Sequence, residues 1–359
     1  MHLFFILLWV IFNPVITTCN PIVTGENPMA TDCPSGAFPR DRASLVLKEW
    51  MRDPFITSGP DDNYFLTCTR LWHSSFKPGM EMWKSADLVN WEPMGLVWSF
   101  DDSRWMAGPL AKMKEEMKKD AHLWAPEIRH IDGRWVSVFT TSLRYSNLAV
   151  SEGAGVEGPW SEPFGEAIHY KHDPSVFVDT DGSRWLVWAC TKIARLKDDF
   201  SGFAGPEIGI APSNRKMGHE GCFILRIEGK YVLFGTAWSQ DILRHGSYNL
   251  YYCTADKIEG PYGPRKFAGR FLGHGTLFRD NAGQWWCTAF QNGTYVTPEH
   301  VARHGISKTK AETINPQGLT LVPMDIRMED GEVVVRALDP LYAKPGEDEI
   351  QDFKNDNVK

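Results

Sequence analysis

The feature that most constrains the fold is a motif that occurs five times. Each copy has a small or acidic pair, an apolar strand, a turn and an aromatic-rich strand, and the copies begin at Asp53, Ala125, Asp173, Glu220 and His274. After the first copy the spacing is about 50 residues, a period typical of a four-stranded propeller blade rather than of a helical repeat. The sequence therefore predicts an all-β chain folded as a five-bladed β-propeller.

The turns and strands inside the copies support this interpretation. Asp132-Gly133, Asp181-Gly182 and Glu228-Gly229 each separate two strand-like runs, as β-hairpin turns do. The second runs are rich in Trp, Tyr and Val, which favour strands. The longer first spacing contains "GPLAKMKEEMKKDAH", Gly108 to His122, a strong helix former. It predicts a helix inserted between blades one and two.

The ends of the chain differ in character from its middle. The start, "MHLFFILLWVIFNPVITTCN", is a short apolar block followed by small polar residues, typical of a signal peptide and too short to span a membrane as a helix. We therefore expect a signal peptide at 1–19, the propeller at 20–340 and a polar, mobile tail at 341–359. Strand-like runs after Phe290 are expected to complete blade five or to close the ring with N-terminal residues. Secretion or a periplasmic location is predicted, and a lipid anchor on Cys19 is the less favoured alternative.

Composition narrows the class of partner. The net charge is −7 without a basic run, which argues against nucleic acid. The fifteen Trp suit a large core, but flat rings also stack on flat sugar faces.

The seven Cys show no zinc-like spacing, so buried thiols are expected for the five that lie in or beside apolar runs: Cys68, Cys190, Cys222, Cys253 and Cys287. A pair between Cys19 and Cys33 stays open.

The starts of the five motifs carry the functional signal. In a propeller the innermost strand of each blade lines the central channel, so equivalent positions at the starts of these strands converge at one end of it. Four of the five positions can ionise, namely Asp53, Asp173, Glu220 and His274. Gathering such groups costs desolvation and like-charge repulsion, and such clusters are more typical of a functional site than of a scaffold.

At these residues the sequence resembles family 43 of the glycoside hydrolases. The segments "MRDPFI", "WAPEI", "HDPSVFVDTDG", "EGCFI" and "GHGTLF" occur in that family's order, from roughly Arg52 to Phe290. The resemblance implies an inverting hydrolase of xylosyl or arabinofuranosyl linkages in oligo- or polysaccharides. Asp53 matches the base, Asp173 the orienting, pKa-tuning aspartate, and Glu220 the general acid. His274 matches a channel histidine that in some members lies next to a bound calcium or sodium ion. We expect no required cofactor, and at most one such ion, held near His274 through water.

Other residues around the motifs are weaker candidates. Trp124 is predicted to stack on the substrate, and Trp72 and Trp238 are further substrate-binding candidates. Glu127 is a spare carboxylate, and His219 is either a hydrogen-bonded blade residue or a catalytic one. Cys222 stands where members of the family often have Pro.

Three alternatives remain open from the sequence. In the related enzymes that cleave fructans the residue at Asp53 is a nucleophile, but Arg52 replaces their Asn and His172-Asp173-Pro174 replaces their Arg-Asp-Pro. Related enzymes on agar oligosaccharides use a histidine acid, a role for which His219 and His274 are available. The third alternative is a lectin-like propeller without turnover. A base at Asp53 predicts a separation of roughly 6.5–9.5 Å from Glu220, and a nucleophile one of about 5–5.5 Å.

Overall fold

The computed structural model describes residues 39–70, 79–104, 122–164 and 168–350. Most strands within these ranges belong to five antiparallel sheets of four or five strands each, and every motif of the repeat supplies the first two strands of one sheet. The predicted all-β, five-bladed propeller is therefore confirmed. No helix in the described ranges is long and apolar enough to cross a membrane.

The first two blades follow the first strand of the chain, β1 (Ser44–Leu47), which itself belongs to blade five. Blade one contains β2 (Arg52–Ser58), β3 (Tyr64–Thr69), β4 (Gly79–Ser85) and β5 (Glu92–Ser99). Blade two contains β6 (Leu123–Ile131), β7 (Arg134–Thr141) and β8 (Tyr145–Ser151), and β8 pairs with both β9 (Trp160–Ser161) and β10 (Ile168–His169).

The other three blades are built in the same way. Blade three contains β11 (Ser175–Val178), β12 (Arg184–Trp188), β13 (Lys192–Leu196) and β14 (Ile208–Gly209). Blade four contains β15 (Glu220–Ile227), β16 (Lys230–Trp238), β17 (Tyr248–Ala255) and β18 (Lys266–Gly269). Blade five begins with β19 (Leu277–Arg279) and β20 (Trp285–Ala289). Next come the short parallel pair β21 (Thr294–Tyr295) and β22 (Glu312–Thr313), with helix α1 (Pro298–His304) between them. The blade then continues with β23 (Leu319–Glu329) and β24 (Glu332–Ala337).

Blade five joins the two ends of the propeller. Strand β23 pairs with β20 on one side, and on its other side with β1 in its first part and β24 in its second. Ser44 lies opposite Leu321 in this pairing. The runs after Phe290 were expected to complete blade five or to close the ring with N-terminal residues, and strand β23 does both.

The apolar cores lie between neighbouring blades. Five clusters of buried side chains fill the five gaps, and each cluster takes residues mainly from two adjacent blades. In β15, Cys222 and Ile224 enter the core shared with blade three, and Phe223 enters the core shared with blade five. Successive residues of a strand point to opposite faces, so both faces of a blade are buried and its strands read as nearly continuous apolar runs. The five cysteines predicted to be buried are buried and free.

Two of the three predicted hairpin turns have the tightest form. Asp132-Gly133 and Glu228-Gly229 are two-residue turns in which both residues have positive φ, 49° and 80° in the first and 45° and 89° in the second. This is the type I′ pattern, which suits the right-handed twist of the flanking strands. Asp181-Gly182 lies in a longer loop between β11 and β12.

The C-terminal segment corrects one expectation. Residues 341–350, predicted to begin a polar, mobile tail, pack against blade four. Asp348 is buried, accepts a 2.5 Å hydrogen bond from the Ser247 hydroxyl and pairs with Arg270. The acidic composition suggested a solvated tail, but here the charge is neutralised by a buried guanidinium. The predicted signal peptide, Trp72 and the Gly108–His122 insertion up to residue 121 lie outside the described residues.

The closing blade gives a test of the interblade cores. Leu321 of β23 is fully buried between blades five and one. We expect Leu321→Ala to lower the free energy of unfolding by roughly 2–5 kcal/mol, because truncation leaves a cavity that the surrounding strands only partly fill. Urea denaturation followed by tryptophan fluorescence measures the loss. The matched control is Leu243→Ala at a leucine that is 61% exposed, and equal stability of the two variants would contradict this packing.

Candidate active site

The innermost strands break their register at the same point. In blade one Arg52 lies opposite Thr69, but Phe55 lies opposite Thr67, so Asp53 and Pro54 together face a single partner residue. Equivalent shifts occur in β6, between Trp124 and Glu127, and in β15, between Glu220 and Phe223. Such a β-bulge bends the strand and redirects a side chain.

The first residue of each of these three bulges, and the equivalent residue of blades three and five, has a left-handed backbone. The φ values are positive at Asp53 (52°), Ala125 (45°), Asp173 (45°), Gly221 (64°) and His274 (59°). This conformation costs a residue other than glycine on the order of 1 kcal/mol or more, and such strain is concentrated at functional sites.

Glu220 is one residue away from the position that the repeat predicted. Its blade places Gly221, not Glu220, at the equivalent of Asp53, because glycine adopts positive φ without a steric penalty. Glu220 instead corresponds to Arg52, Trp124 and His172. Its side chain is 23% exposed, against 10% for Asp53 and 6% for Asp173, so it lies nearer to the mouth of the channel.

These five positive-φ residues line one cleft. Asp53, Asp173 and His274 bring their ionisable groups to it, and Ala125 and Gly221 leave room. The structure thus brings together four of the five residues that the sequence placed at the channel mouth, and the fifth, Glu220, lies beside them with Oε1 3.9 Å from Nδ1 of His274.

Asp53 is held through one oxygen only. Its Oδ2 accepts a 2.7 Å hydrogen bond from the Thr69 hydroxyl, whose oxygen accepts another from the Ala125 amide. Its buried Oδ1 has no hydrogen-bond donor among the described residues, although Nδ1 of His274 is 3.2 Å away. One lone-pair-bearing oxygen is therefore left to interact with a ligand or water.

Glu220 has a contact on each oxygen. The Tyr248 hydroxyl donates to Oε1 at 2.8 Å, and Nε2 of His172 lies 3.2 Å from Oε2. Tyr248 is fully buried and its ring stacks on Trp238, with 4.3 Å between centroids and 14° between planes. Trp238 was predicted to bind substrate, and this is wrong: it ends β16 opposite Tyr248 and is itself buried, so it supports the residue that holds Glu220.

His274 lies among the three acids. Its Nδ1 is 3.2 Å from Asp53 and 3.9 Å from Glu220, and its Nε2 is 3.7 Å from Asp173. Burial alone would lower the pKa of His274, but the three carboxylates outweigh it and raise the pKa to about 10. Burial raises the pKa of Asp173, against the opposing effect of His274 and His172. A buried positive charge therefore offsets the negative charge of the cleft at neutral pH.

The pKa of Glu220 is shifted in the opposite direction to the one expected from the sequence. Burial alone would raise the pKa of Glu220, but hydrogen bonds from His172, His274 and Tyr248 hold it well below its usual range. The pKa of His172 is raised, because Glu220 and Asp173 outweigh its burial. The sequence suggested that Asp173 would keep the proton on Glu220. In the structure the two imidazoles outweigh that one carboxylate, so the pKa of Glu220 is lowered rather than raised.

The remaining predicted residues occupy varied places. Trp124 is half-buried at the position before the bulge, at the channel mouth. Glu127 is buried in the cleft lining, where it accepts hydrogen bonds from Ser175 (2.7 Å) and Arg129 (3.3 Å). His219 is half-buried and is not among the residues that line the cleft.

Two residues of the site were not predicted. His172 was visible in the sequence only as the neighbour of Asp173. Tyr248, in the third strand of blade four, has no local signal that would distinguish it from other aromatic strand residues.

A directly bound calcium does not fit this cleft. In the described part of the chain, one group offers metal-ligand atoms within 4.8 Å of one another, namely His172, Asp173 and Glu220. Calcium prefers six to eight oxygen ligands, and these three groups supply two carboxylates and a nitrogen. The raised pKa of His274 also leaves that imidazole protonated and without a lone pair to donate. We therefore assign no step to a metal ion.

Comparison with known proteins agrees with this geometry. The profile of the Glycosyl hydrolases family 43 matches residues 44–316, which include blades one to four and the first two strands of blade five. The chain belongs to this family. A xylan 1,3-beta-xylosidase from a Vibrio species is 26% identical over 285 residues, which cover 71% of this chain and 50% of that protein. An extracellular exo-alpha-(1->5)-L-arabinofuranosidase from Cellvibrio japonicus is 24% identical over 66% of this chain and 72% of its own length.

Solved structures of other proteins have the same fold as this chain. A family 43 protein from Bacillus licheniformis superposes with a TM-score of 0.60 at 19% identity, over 85% of this chain and 59% of that one. An exo-1,5-alpha-L-arabinanase from a bovine ruminal metagenomic library gives a TM-score of 0.56 at 20% identity, over 84% of this chain and all of the other. The chain spans half the length of the Vibrio relative and 40% of a Humicola insolens xylosidase/arabinosidase.

The charge of His274 is directly measurable. We expect its imidazole to titrate near pH 10 in histidine-labelled protein observed by NMR, with the resonance assigned by His274→Gln. Asp53→Asn removes the nearest carboxylate charge and should lower that value. The folded-state pKa exceeds the ordinary value of about 6.5, so the stabilisation is complete below pH 6.5 and is lost as the pH rises toward 10. A midpoint near 6.5 in the folded protein would contradict the packing described here.

Proposed function

We propose that this chain is a glycosidase that hydrolyses xylosyl or arabinofuranosyl linkages in oligo- or polysaccharides with inversion at the anomeric carbon. The observation that carries the proposal is the pair of Asp53 and Glu220. They stand on different blades, and both lie within 4 Å of the same nitrogen of His274. Asp53 lines the cleft and has one oxygen without a hydrogen-bond donor among the described residues, and Glu220 lies beside the cleft and is more exposed. Membership of family 43 and the xylosidase and arabinofuranosidase names of the relatives support the substrate class.

Asp53 acts as the general base. Its Oδ1 takes a proton from a water molecule as that water attacks the anomeric carbon. The hydrogen bond from Thr69 to Oδ2 fixes the carboxylate plane, so that Oδ1 is the oxygen that receives the proton.

Glu220 acts as the general acid. The Tyr248 hydroxyl donates to Oε1, so the proton that is transferred to the leaving oxygen resides on Oε2. Because Glu220 lies nearer to the mouth than Asp53, the leaving group departs toward solvent while water attacks from the deeper side.

Asp173 acts as a positioning residue. Its Oδ2 accepts a 3.3 Å hydrogen bond from the Gly221 amide and lies 3.4 Å from His172 and 3.7 Å from His274. It therefore fixes the backbone beside the acid and orients both imidazoles.

The reaction needs no cofactor in this proposal, and an ion near His274 would be held through water. Trp124 is proposed to stack on a sugar ring at the mouth. The N-terminal apolar block and the polymeric substrate favour a secreted or periplasmic protein.

Activity measurements on variants test the assignment. The wild type should hydrolyse a nitrophenyl β-xyloside or α-L-arabinofuranoside. Asp53→Asn and Glu220→Gln should each lower kcat on the disaccharide of the same sugar by on the order of 100-fold or more, since proton transfer contributes that much. Circular dichroism checks that the fold persists. Glu259→Gln, at an exposed glutamate, is the matched control and should keep full activity. A Glu220→Gln protein that retains wild-type activity would rule out this acid, and a wild type that binds sugars without turnover would indicate a lectin-like propeller.

The stereochemistry of the product tests the mechanism. Asp53 Oδ1 and Glu220 Oε1 lie 3.2 and 3.9 Å from the same nitrogen of His274, so they are at most about 7.1 Å apart, the sum of the two. This limit includes both the lower part of the 6.5–9.5 Å range of inverting enzymes and the 5–5.5 Å of retaining ones. NMR of the first product should show the inverted anomer. A retained anomer, or a glycosyl ester trapped on Asp53, would make Asp53 a nucleophile.

A further inference from the structure

His172 is held firmly at the edge of the cleft. The preceding residue, Lys171, has a carbonyl that accepts hydrogen bonds from the hydroxyls of Thr140 (2.9 Å) and Ser146 (2.8 Å). The carbonyl of His172 accepts a hydrogen bond from the Ala189 amide at 2.9 Å. The backbone of this residue is thus tied to blades two and three, and its imidazole has a defined position.

The imidazole connects the acid with a surface tyrosine. Nε2 of His172 is 3.2 Å from Oε2 of Glu220 and 3.4 Å from Oδ2 of Asp173, and Nδ1 is 2.8 Å from the hydroxyl of Tyr170. The His172 side chain is 27% exposed and Tyr170 is 37% exposed. When Nδ1–H donates to the tyrosine oxygen, the proton that His172 can exchange is the one on Nε2, which faces Glu220.

The proposed reaction requires such a partner. Each turnover removes one proton from Glu220 and adds one to Asp53, so the acid must regain a proton before the next cycle. Tyr248 already donates to Oε1, so the returning proton has to reach Oε2, the oxygen that faces His172. Burial would raise the pKa of Glu220, but its hydrogen bonds to His172, His274 and Tyr248 lower it, so a nearby proton source is needed for the first turnover as well.

We propose that His172 is a positioning residue that shares one proton with Glu220 and supplies it to the acid. The inference rests on the proposed function. The Nε2–H bond breaks as the Oε2–H bond forms, leaving a neutral imidazole that still donates through Nδ1–H to Tyr170. The Oε2–H bond then breaks as the leaving oxygen takes the proton together with the electron pair of the glycosidic bond. Solvent returns a proton to Nε2, and Asp53 releases to solvent the proton taken from water, so the cycle balances.

This arrangement has a consequence for the pH profile. In the wild type one proton can reside on either His172 or Glu220, so the pair loses it at a higher pH than a single site would. When residue 172 is a neutral side chain, Glu220 is the one remaining site, and the proton is lost at a lower pH. The charged and titratable groups facing His172 are Glu220, Asp173, Tyr170 and His274, and the guanidinium of Arg144 lies over the Tyr170 ring at 5.6 Å. The two carboxylates favour the imidazolium and His274 opposes it. Removing His172 should therefore move the alkaline limb of kcat/KM to lower pH.

Kinetics of His172→Gln tests the proposal with two leaving groups. A disaccharide needs its leaving oxygen protonated, whereas a dinitrophenyl glycoside of the same sugar does not. We expect kcat on the disaccharide to fall by about 100-fold, in the range for loss of proton transfer, and kcat on the dinitrophenyl glycoside by less than about fivefold. The alkaline limb on the disaccharide should move to lower pH. His169→Gln, at an exposed histidine of the same segment, is the control and should match the wild type. Equal losses on both substrates with an unshifted limb would overturn the proposal.

A titration that needs no turnover separates this inference from the proposed function. The ring signal of His172, assigned by His172→Gln, should titrate above its ordinary value in the wild type, and its midpoint should fall by about one pH unit or more in Glu220→Gln. If the midpoint falls in Glu220→Gln but the wild type hydrolyses neither glycoside, the shared proton is supported and the proposed glycosidase function is contradicted. If the wild type hydrolyses them and the midpoint is the same in both proteins, the role of His172 fails and the glycosidase function stands.

Discussion

Three carboxylates meet in one largely buried cleft, and two histidines make this arrangement possible. Asp53, Asp173 and Glu220 would repel one another in a medium from which most water is excluded. His274 lies within 4 Å of all three, and His172 is within that distance of Asp173 and Glu220. The imidazoles do more than neutralise charge, since hydrogen bonds from both lower the pKa of Glu220, whereas burial and the neighbouring carboxylates alone would raise it.

The propeller supplies the geometry in which these charges can be held. In each blade the strained residue lies at or just before the start of the innermost strand, and each blade is packed on both faces by a core shared with its neighbour. The pairing of β1 with β23 completes blade five, which shares a core with blade one. A ring of this kind cannot relieve strain at Asp53 or Asp173 without moving a whole blade, which explains how four non-glycine residues persist at positive φ.

The propeller fold was predictable because the sequence repeat has a physical cause. Burial on both faces produces the apolar runs, hairpin turns separate them, and the period then gives the number of blades. The slip at Glu220 has a definite cause: sequence letters align Glu-Gly with Asp-Pro, but the residue that adopts positive φ is Gly221. Trp238 and Tyr248 look alike as strand aromatics, and only their stacking shows that one supports the other. The acidic C-terminal segment looked solvated because its cation, Arg270, is distant in sequence.

The one-residue offset of Glu220 reveals two levels in the site. The bulge residues form an inner level, and four of these five are buried; in blades one to four the residues just before them, Arg52, Trp124, His172 and Glu220, are all half-buried. Groups that act on water belong to the inner level, where one oxygen of Asp53 has no hydrogen-bond donor in the described part of the chain. Groups that must meet the leaving sugar and exchange protons with solvent belong to the outer one. His172 and Glu220 occupy the same structural position in adjacent blades, which is why an imidazole and a carboxylate 48 residues apart in sequence come into contact at the mouth.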